Sequence, residues 1–548
     1  MLGCTRPVWR VGPIHAGSRV RREHDEVHEP LSAEFERYVR NCTAVDQVCC
    51  KGQKPGSASK IAPISDENGI LAPDRLRRAG ANLYWRSSNG GKGPVLPHRT
   101  LIATVATAAA ALFVAATAAA TTTPPASGKV AATTPATSGS QHLRNTKSTG
   151  AECPNGLACR FVPAAYQQNS ADPGDYGNYD LADRPADGLS VRFVVIHDTE
   201  VAYDPTVALF QNPFAYVSSH YVLRSSDGQV TQMVPTRDVA WHAGNWWVNS
   251  HAIGIENEGF ATEGNQWFTE QLYRSLARLT RYLADRYAIP VDREHIIGHD
   301  QVPGPTAAFQ AGMHWDPGPY FDWAHFMALV GAPISPSGAD GTGRVVTIDP
   351  VFSQNRPVVT YCEGGSCSTL PSQPTNFLYL HTAPSAESPL VADPLLAGTN
   401  LEPAGVGTTQ ANDWGDKAVT GQSFAVAGRS GDWAAIWYGG RKAWLEDPRG
   451  KNTVPGDGTL VTPKEGASSI PVYGRAYPES VSVANLGYTI PAGQVYVAKD
   501  LVGADYYSAS TFNAPETYQV VTGSTKFYEI SFNHRIAFLK ASDVDVVG

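Results

Sequence analysis

The stretch Phe193-Val194-Val195-Ile196-His197-Asp198-Thr199 decides how this chain is read. Four apolar, mostly β-branched residues suit a buried strand, because such side chains are stiff and pack well on a pleated surface. The run then stops abruptly in three groups able to bind a metal, hold a charge or hydrogen-bond. One reading is a strand that delivers His197 to the rim of a pocket; the plain alternative is a strand with an ordinary polar end. What separates them is whether the sequence supplies partners for His197.

Working outward, residues 191–196 are expected as the opening strand, and Asp204-Pro205 as the N-cap and first turn of a short helix ending near Phe210. Residues 220–223 read as a strand, Asp227-Gly228 as a hairpin turn and residues 229–234 as its return. Residues 252–259 form another strand, ending in acids and glycine. Thr269 caps a long helix with Leu272, Leu276, Leu279 and Leu283 on one face. Ile296-Ile297-Gly298-His299-Asp300 again runs from apolar residues into a histidine. After a Gly/Pro-rich loop, His314-Trp315-Asp316-Pro317-Gly318-Pro319 leads to an amphipathic helix through Trp323, Phe326 and Val330. An α/β domain with a central mixed sheet flanked by helices is the expected architecture.

Two strands thus end in histidines, and a carboxylate is fixed before a Pro-Gly-Pro turn. His197, His299 and Asp316 make a set of two imidazoles and one carboxylate, of the kind that holds catalytic zinc and leaves a fourth position for water. A metal there lowers the pKa of water to roughly 7 and polarises a carbonyl beside it. Hydrolysis also needs a base for the water's proton and a donor for the tetrahedral oxyanion. Glu256, on a neighbouring strand, is placed as the base, and His314, just before Asp316, as the donor. Glu258 is a rival base, since strand alternation puts it on the same face as Glu256. Strand-end histidines that merely hydrogen-bond are the competing reading.

The ordered set V-I-H-D-T, S-H-Y-V-L, W-H-A-G, I-G-I-E, G-H-D and D-P-G-P lies within about residues 188–331. It resembles the zinc-dependent N-acetylmuramoyl-L-alanine amidases related to peptidoglycan recognition proteins. The resemblance implies Zn2+ on His197, His299 and Asp316, Glu256 as the base, and cleavage of the amide joining the muramic lactyl group to L-Ala. It places His220 and His242, rival ligands by residue type, at the substrate groove or in structural hydrogen bonds, the structural role being favoured for His220. Asn257 is grouped with them on the substrate side. Trp241, like Trp246 and Trp247, suits a groove wall where flat aromatic faces pack on sugar or peptide; a tryptophan-rich core corner is the other reading. Two departures stand out. Many relatives have a second histidine where Asp198 stands, a position that is not a ligand. Several carry lysine where this chain has His314, which can still donate a hydrogen bond but whose charge depends on pH. A non-catalytic peptidoglycan-binding protein is the main alternative, opposed by retention of all three ligands and Glu256. A wall-anchored structural protein is a further one.

The 548 residues allow three or four domains. The formal net charge is −8, with the basic residues concentrated early, so the acidic body argues against an electrostatic nucleic-acid footprint. Residues 1–94 are expected as a disordered leader or as sequence outside the working protein, and their His24, His28, Cys42, Cys49 and Cys50 fit no zinc spacing. His98-Arg99, an uncharged apolar run and Ala118-Ala119-Ala120 have the layout of a signal peptide over residues 95–120, with translation starting near Val95. The product is then secreted, extracellular or in the cell wall, without stable membrane association after cleavage. Residues 121–150 read as a low-complexity linker. Cys153, Cys159, Cys362 and Cys367 remain, and local 153–159 and 362–367 disulfides are the simplest pairing.

The amidase-like domain is expected over residues 151–331, followed by a linker at 332–345 and a β-rich half. Residues 432–445 align with 526–539, and 377–384 echo 470–478, so 346–455 and 456–548 are read as two copies of one small β-barrel-like domain. The pattern W-x-x-I-x-Y-G-G-R-x-x-W-L resembles bacterial Src-homology-three-like barrels, which commonly tether hydrolases to cell wall. Peptidoglycan is the expected partner and a monomer the expected state.

Overall fold

In the computed structural model, which describes residues 150–337, 343–363, 365–481 and 484–547, a six-stranded mixed sheet is built around the opening strand. Its strands are β1 (Cys159–Phe161), β2 (Phe193–Asp198), β3 (Tyr221–Leu223), β4 (Val230–Gln232), β5 (Ala252–Asn257) and β6 (Ile296–Gly298). They lie in the order β1-β4-β3-β5-β2-β6. The β3–β4 hairpin is antiparallel, and the other neighbours are parallel. Every residue of β2 is buried. Val194 and Ile196 join one apolar cluster, Phe193 and Val195 another, as the two-residue period of a strand dictates. A continuous apolar run is what a strand covered on both faces requires.

The helices are α1 (Tyr203–Phe210), α2 (Trp246–His251), α3 (Glu270–Tyr287), α4 (Ala307–Gln310) and α5 (Trp323–Val330). The Thr269 hydroxyl accepts the Leu272 N–H at 3.2 Å and caps α3. Leu272, Leu276, Leu279 and Leu283 are fully excluded from solvent, in the same cluster as Trp323 and Phe326 of α5. At about 1.5–3 kcal/mol each, their burial outweighs a cap of about 1 kcal/mol in docking α3. The start of α1 departs from the sequence expectation. Asp204 lies inside the first turn and Ala202 holds the N-cap position without a side-chain bond. The Glu258 carboxylate instead accepts the Tyr203 N–H at 2.9 Å, so a tertiary contact replaces the local cap.

Among the described residues, the C-terminal half contains two large antiparallel sheets and two two-stranded ones, Thr360–Glu363 with Ser366–Thr369 and Phe377–Tyr379 with Lys417–Val419. The first large sheet holds five strands: β7 (Val345–Ile348), β8 (Ser423–Ser430), β9 (Trp433–Tyr438), β10 (Arg441–Glu446) and β11 (Thr453–Pro455). The second holds seven: β12 (Thr459–Pro463), β13 (Ser469–Tyr473), β14 (Asn485–Pro491), β15 (Tyr496–Ser508), β16 (Gln519–Ser531), β17 (Ile536–Lys540) and β18 (Val544–Val547). The two mutually aligned stretches each form a hairpin, β9–β10 and β16–β17. Trp444 in the first hairpin bridges to His381, and its counterpart Phe538 pairs with Tyr473. Disulfides join Cys153 to Cys159 and Cys362 to Cys367, the local pairing.

The second sheet does not hang on a free tether. It covers the face of the amidase-like sheet that carries Phe193 and Val195, in one cluster with Trp247, Tyr477 and Phe538. The ring of Trp247 meets Phe538 edge-on at 4.8 Å, and its indole N–H donates to Asp505 at 2.9 Å. The Trp246 N–H donates to the Tyr507 carbonyl at 2.8 Å. All described residues accordingly belong to one compact unit. The leader, the signal segment and the low-complexity tract up to residue 149 lie outside the described residues. Among the described residues no helix is long and apolar enough to cross a membrane.

Candidate metal centre and active site

The sheet brings its chemistry to one edge because β2, β5 and β6 run parallel and end together. His197 is paired in register with Glu256 across β2 and β5. β6 passes directly into a tight turn, His299–Gln301, which presents His299. Asp316 arrives from the following loop, and its carbonyl accepts the Asp300 N–H at 2.8 Å. Each of His197, His299 and Asp316 is buried and offers a ligand atom, these atoms all lying within 4.8 Å of one another.

The two oxygens of Asp316 each face one imidazole. Oδ2 lies 3.1 Å from Nδ1 of His197, and Oδ1 lies 3.0 Å from Nδ1 of His299. Ligand atoms about 2.0–2.2 Å from a tetrahedral zinc stand roughly 3.3–3.6 Å apart, so the donors are already close to the separation a metal needs. Their protonation fits too. Burial pulls the His299 imidazole down to about 3, leaving it neutral. Burial pushes the Asp316 carboxyl up, but the neighbouring His299, His197 and His314 more than offset this and hold it well below the usual carboxylate range. Neutral imidazole and ionised carboxylate are the forms that bind metal.

Glu256 stands beside this set, its Oε1 3.9 Å from Nδ1 of His197. Its Oε2 is buried with no hydrogen-bond partner among the described residues. Burial, then the charge of Asp316, raises its carboxyl well above the ordinary range. A buried carboxyl with a free oxygen beside the ligand set suits proton transfer. Glu258 has no such freedom. Its carboxylate accepts the N–H groups of Tyr203 and Ser225 at 2.9 and 2.8 Å, tying α1 to the β3–β4 hairpin.

His314 sits at the rim, its side chain 43% exposed. Its ring stacks on that of His299 at 4.8 Å, and its Nδ1 is 3.6 Å from Asp316 Oδ1. His242 is buried behind the centre, with Nδ1 3.0 Å from Nε2 of His197. The glycine of I-G-I-E makes room for it: a Cβ on Gly254 would stand 2.6 Å from the His242 ring.

Trp241 and Asn257, grouped on the substrate side, are buried in the core, and His220 is held in structural hydrogen bonds, the role favoured for it. Trp241 is a core residue, not a groove wall: it is 1% exposed, its N–H donates to Asp180 at 2.7 Å and its ring packs against Tyr176. Asn257 is fully buried and its side-chain amide donates to the His197 carbonyl at 2.8 Å, which fixes the end of β2. His220 is likewise fully buried. Its Nδ1 accepts the Gly254 N–H at 3.1 Å, and its Nε2 faces the Asp238 carbonyl and Arg184. A group not singled out in the sequence is Glu200, close enough to Asp316 and His314 to feel their charges and raised to about 7, first of all by burial.

Residues 187–319 match the family described as N-acetylmuramoyl-L-alanine amidase. N-acetylmuramoyl-L-alanine amidase A of Achromobacter lyticus is 32% identical over 175 residues, which cover 29% of this chain and 91% of that protein. The chain belongs to this amidase family. It is therefore an enzyme of amide hydrolysis, with His197, Glu256, His299, His314 and Asp316 all inside the matched segment. The 1,6-anhydro-N-acetylmuramyl-L-alanine amidase AmpD of Citrobacter freundii is 38% identical over 120 residues, 21% of this chain and 57% of that protein. The crystal structure of an AmpD selenomethionine derivative is similar at 30% identity and a TM-score of 0.24, covering 32% of this chain and 94% of that one.

Proposed function

We propose that this chain is a secreted, zinc-dependent peptidoglycan amidase that cleaves the amide between the muramic lactyl group and L-Ala. The observation that carries this reading is the convergence of His197, His299 and Asp316 within 4.8 Å, with a buried, unpartnered carboxylate oxygen of Glu256 beside them. In this reading His197, His299 and Asp316 hold the zinc. When bound, the metal supplies a Lewis acid that lowers the pKa of water and polarises the scissile carbonyl. Glu256 takes the proton from the attacking water and passes it to the departing L-Ala nitrogen as the C–N bond breaks. His314, at the rim, donates a hydrogen bond to the oxygen that gains charge in the tetrahedral state.

Export is supported by the apolar, small-residue-terminated segment and by two disulfides, which persist in oxidising compartments. The C-terminal sheets, with their aligned hairpins, are read as Src-homology-three-like wall-binding repeats, and the protein as a monomer acting on peptidoglycan. The amidase part is read as related to peptidoglycan recognition proteins. Dye release from labelled cell wall, with and without chelator, tests the proposal. Release that stops on chelation and returns with Zn2+ is expected; metal-independent binding with no release assigns the chain to recognition instead.

A further inference from the structure

Arg535 lies in the turn between β16 and β17, far along the chain from the catalytic strands, and has no exposed surface. Its guanidinium is turned onto the amidase domain's own loops. Nη1 donates to the carbonyls of Val302 at 2.6 Å and His299 at 3.4 Å, and Nη2 to those of His314 at 2.9 Å and Met313 at 3.3 Å. The ring of Trp414, from the first β-rich region, lies 4.4 Å from the guanidinium carbon. Its neighbour His534 places Nε2 2.9 Å from Oδ2 of Asp300 and Nδ1 3.1 Å from the Lys417 carbonyl.

Within the amidase domain, these contacts fall on the two segments that carry His299 and Asp316. One runs through His299 and Val302, the other through Met313, His314 and Asp316, and Asp300 joins them through its bond to the Asp316 carbonyl. A buried guanidinium is costly unless its donors are satisfied, and its planar fork can fix two backbones at a set distance in a way a lysine cannot. A metal site in turn depends on the groups that orient its ligands.

We propose that Arg535 and His534 are positioning residues of the metal centre, so that the C-terminal β-rich half is a working part of the amidase site and not only a tether. This rests on the zinc-amidase reading. The Arg535 fork sets the distance between the His299 and Asp316 segments from behind. A pure tether has no reason to bury a cationic turn against catalytic loops.

The test uses the full chain as wild type, Arg535→Ala and Arg535→Lys, each checked for folding by circular dichroism and thermal unfolding. Three quantities are read: Co2+ affinity with its visible absorption, hydrolysis of a soluble muramoyl peptide with Zn2+, and sedimentation with cell-wall sacculi. Arg535→Ala is expected to bind Co2+ about 10- to 100-fold more weakly with a changed spectrum, to lose kcat in proportion, and to sediment with sacculi as wild type does. Arg535→Lys, which keeps the charge without the fork, falls between, and it decides the question if the alanine variant does not fold. Folded variants with wild-type Co2+ affinity and spectrum overturn the proposal, as does a wild type that binds no Co2+. A wild type that binds Co2+ normally but hydrolyses no muramoyl peptide overturns the amidase reading alone.

Discussion

Nε2 of His197 lies 3.0 Å from Nδ1 of His242, with the two rings nearly perpendicular at 87°. With zinc held by Nδ1 of His197 in the proposed centre, the ring proton belongs on Nε2, where it donates to His242. Burial, reinforced by the nearby imidazoles, keeps His242 neutral, with a pKa well below the usual histidine range. Its Nδ1 can therefore act as acceptor. The pair fixes both the tautomer and the rotation of His197.

Replacing His242 with alanine should accordingly weaken zinc binding by about 10- to 100-fold while the fold persists. Competition with a chromogenic chelator measures this. Unchanged zinc affinity together with a raised KM would move His242 back to the substrate groove.

Glu256→Gln should behave in the opposite way. The amide matches the carboxyl in size but cannot take a proton, so bound zinc should remain while kcat falls by about 10²- to 10⁴-fold. Metal analysis beside a soluble-substrate assay decides it, and a variant retaining wild-type kcat removes Glu256 from the chemistry.

The contact between the two halves should be sensitive to alkaline pH. His295 places Nδ1 2.7 Å from Asp292 and Nε2 3.1 Å from Asp500 of β15, which also pairs with Arg192. Burial alone lowers its pKa, but hydrogen bonds to Asp292 and Asp500 and the charges of Asp292 and Glu529 raise it from 6.5 to about 10. A folded-state pKa above the unfolded one means that the proton is held more tightly in the folded state. This stabilisation is full below about pH 6.5 and is lost as pH rises through about 10. Melting temperature should fall over that window in wild type and fall less in His295→Asn; parallel curves for the two would contradict the assignment.

Close approach of the two halves gives another prediction. A Cβ on Gly474 would stand 2.1 Å from the Gly304 carbonyl oxygen, and the Gly474 carbonyl accepts the Asn245 amide at 2.9 Å. Gly474→Ala should destabilise the full chain by about 1–3 kcal/mol. Urea unfolding measures it, and a change near zero would mean that the interface yields without strain.

The group that could hold a metal was legible because two apolar runs each stop at a histidine and a turn-fixed carboxylate follows them, residue types that together suit a metal. Glu256 and Glu258 could not be separated by strand alternation. What separates them is the pair of backbone N–H groups, on Tyr203 and Ser225, that occupies Glu258. Trp241 could not be assigned between groove and core because a tryptophan reads the same from sequence in either place; its contacts with Asp180 and Tyr176 put it in the core. The covered face was illegible for a related reason. Phe193, Val195, Trp246 and Trp247 announce burial but not by what, and their partners Tyr507 and Phe538 belong to the distant β-rich half. Arg535 was invisible in the same way, since its four acceptors are backbone carbonyls, which leave no trace in residue type.

The most direct test is mass spectrometry of peptidoglycan digested by the zinc-loaded full chain. Free stem peptides with a new L-Ala amino terminus, absent from digests by His197→Ala, are the predicted products. New reducing-end sugars or cut cross-bridges, or L-Ala termini released equally by His197→Ala, would contradict a metal-dependent amidase centred on His197, His299 and Asp316.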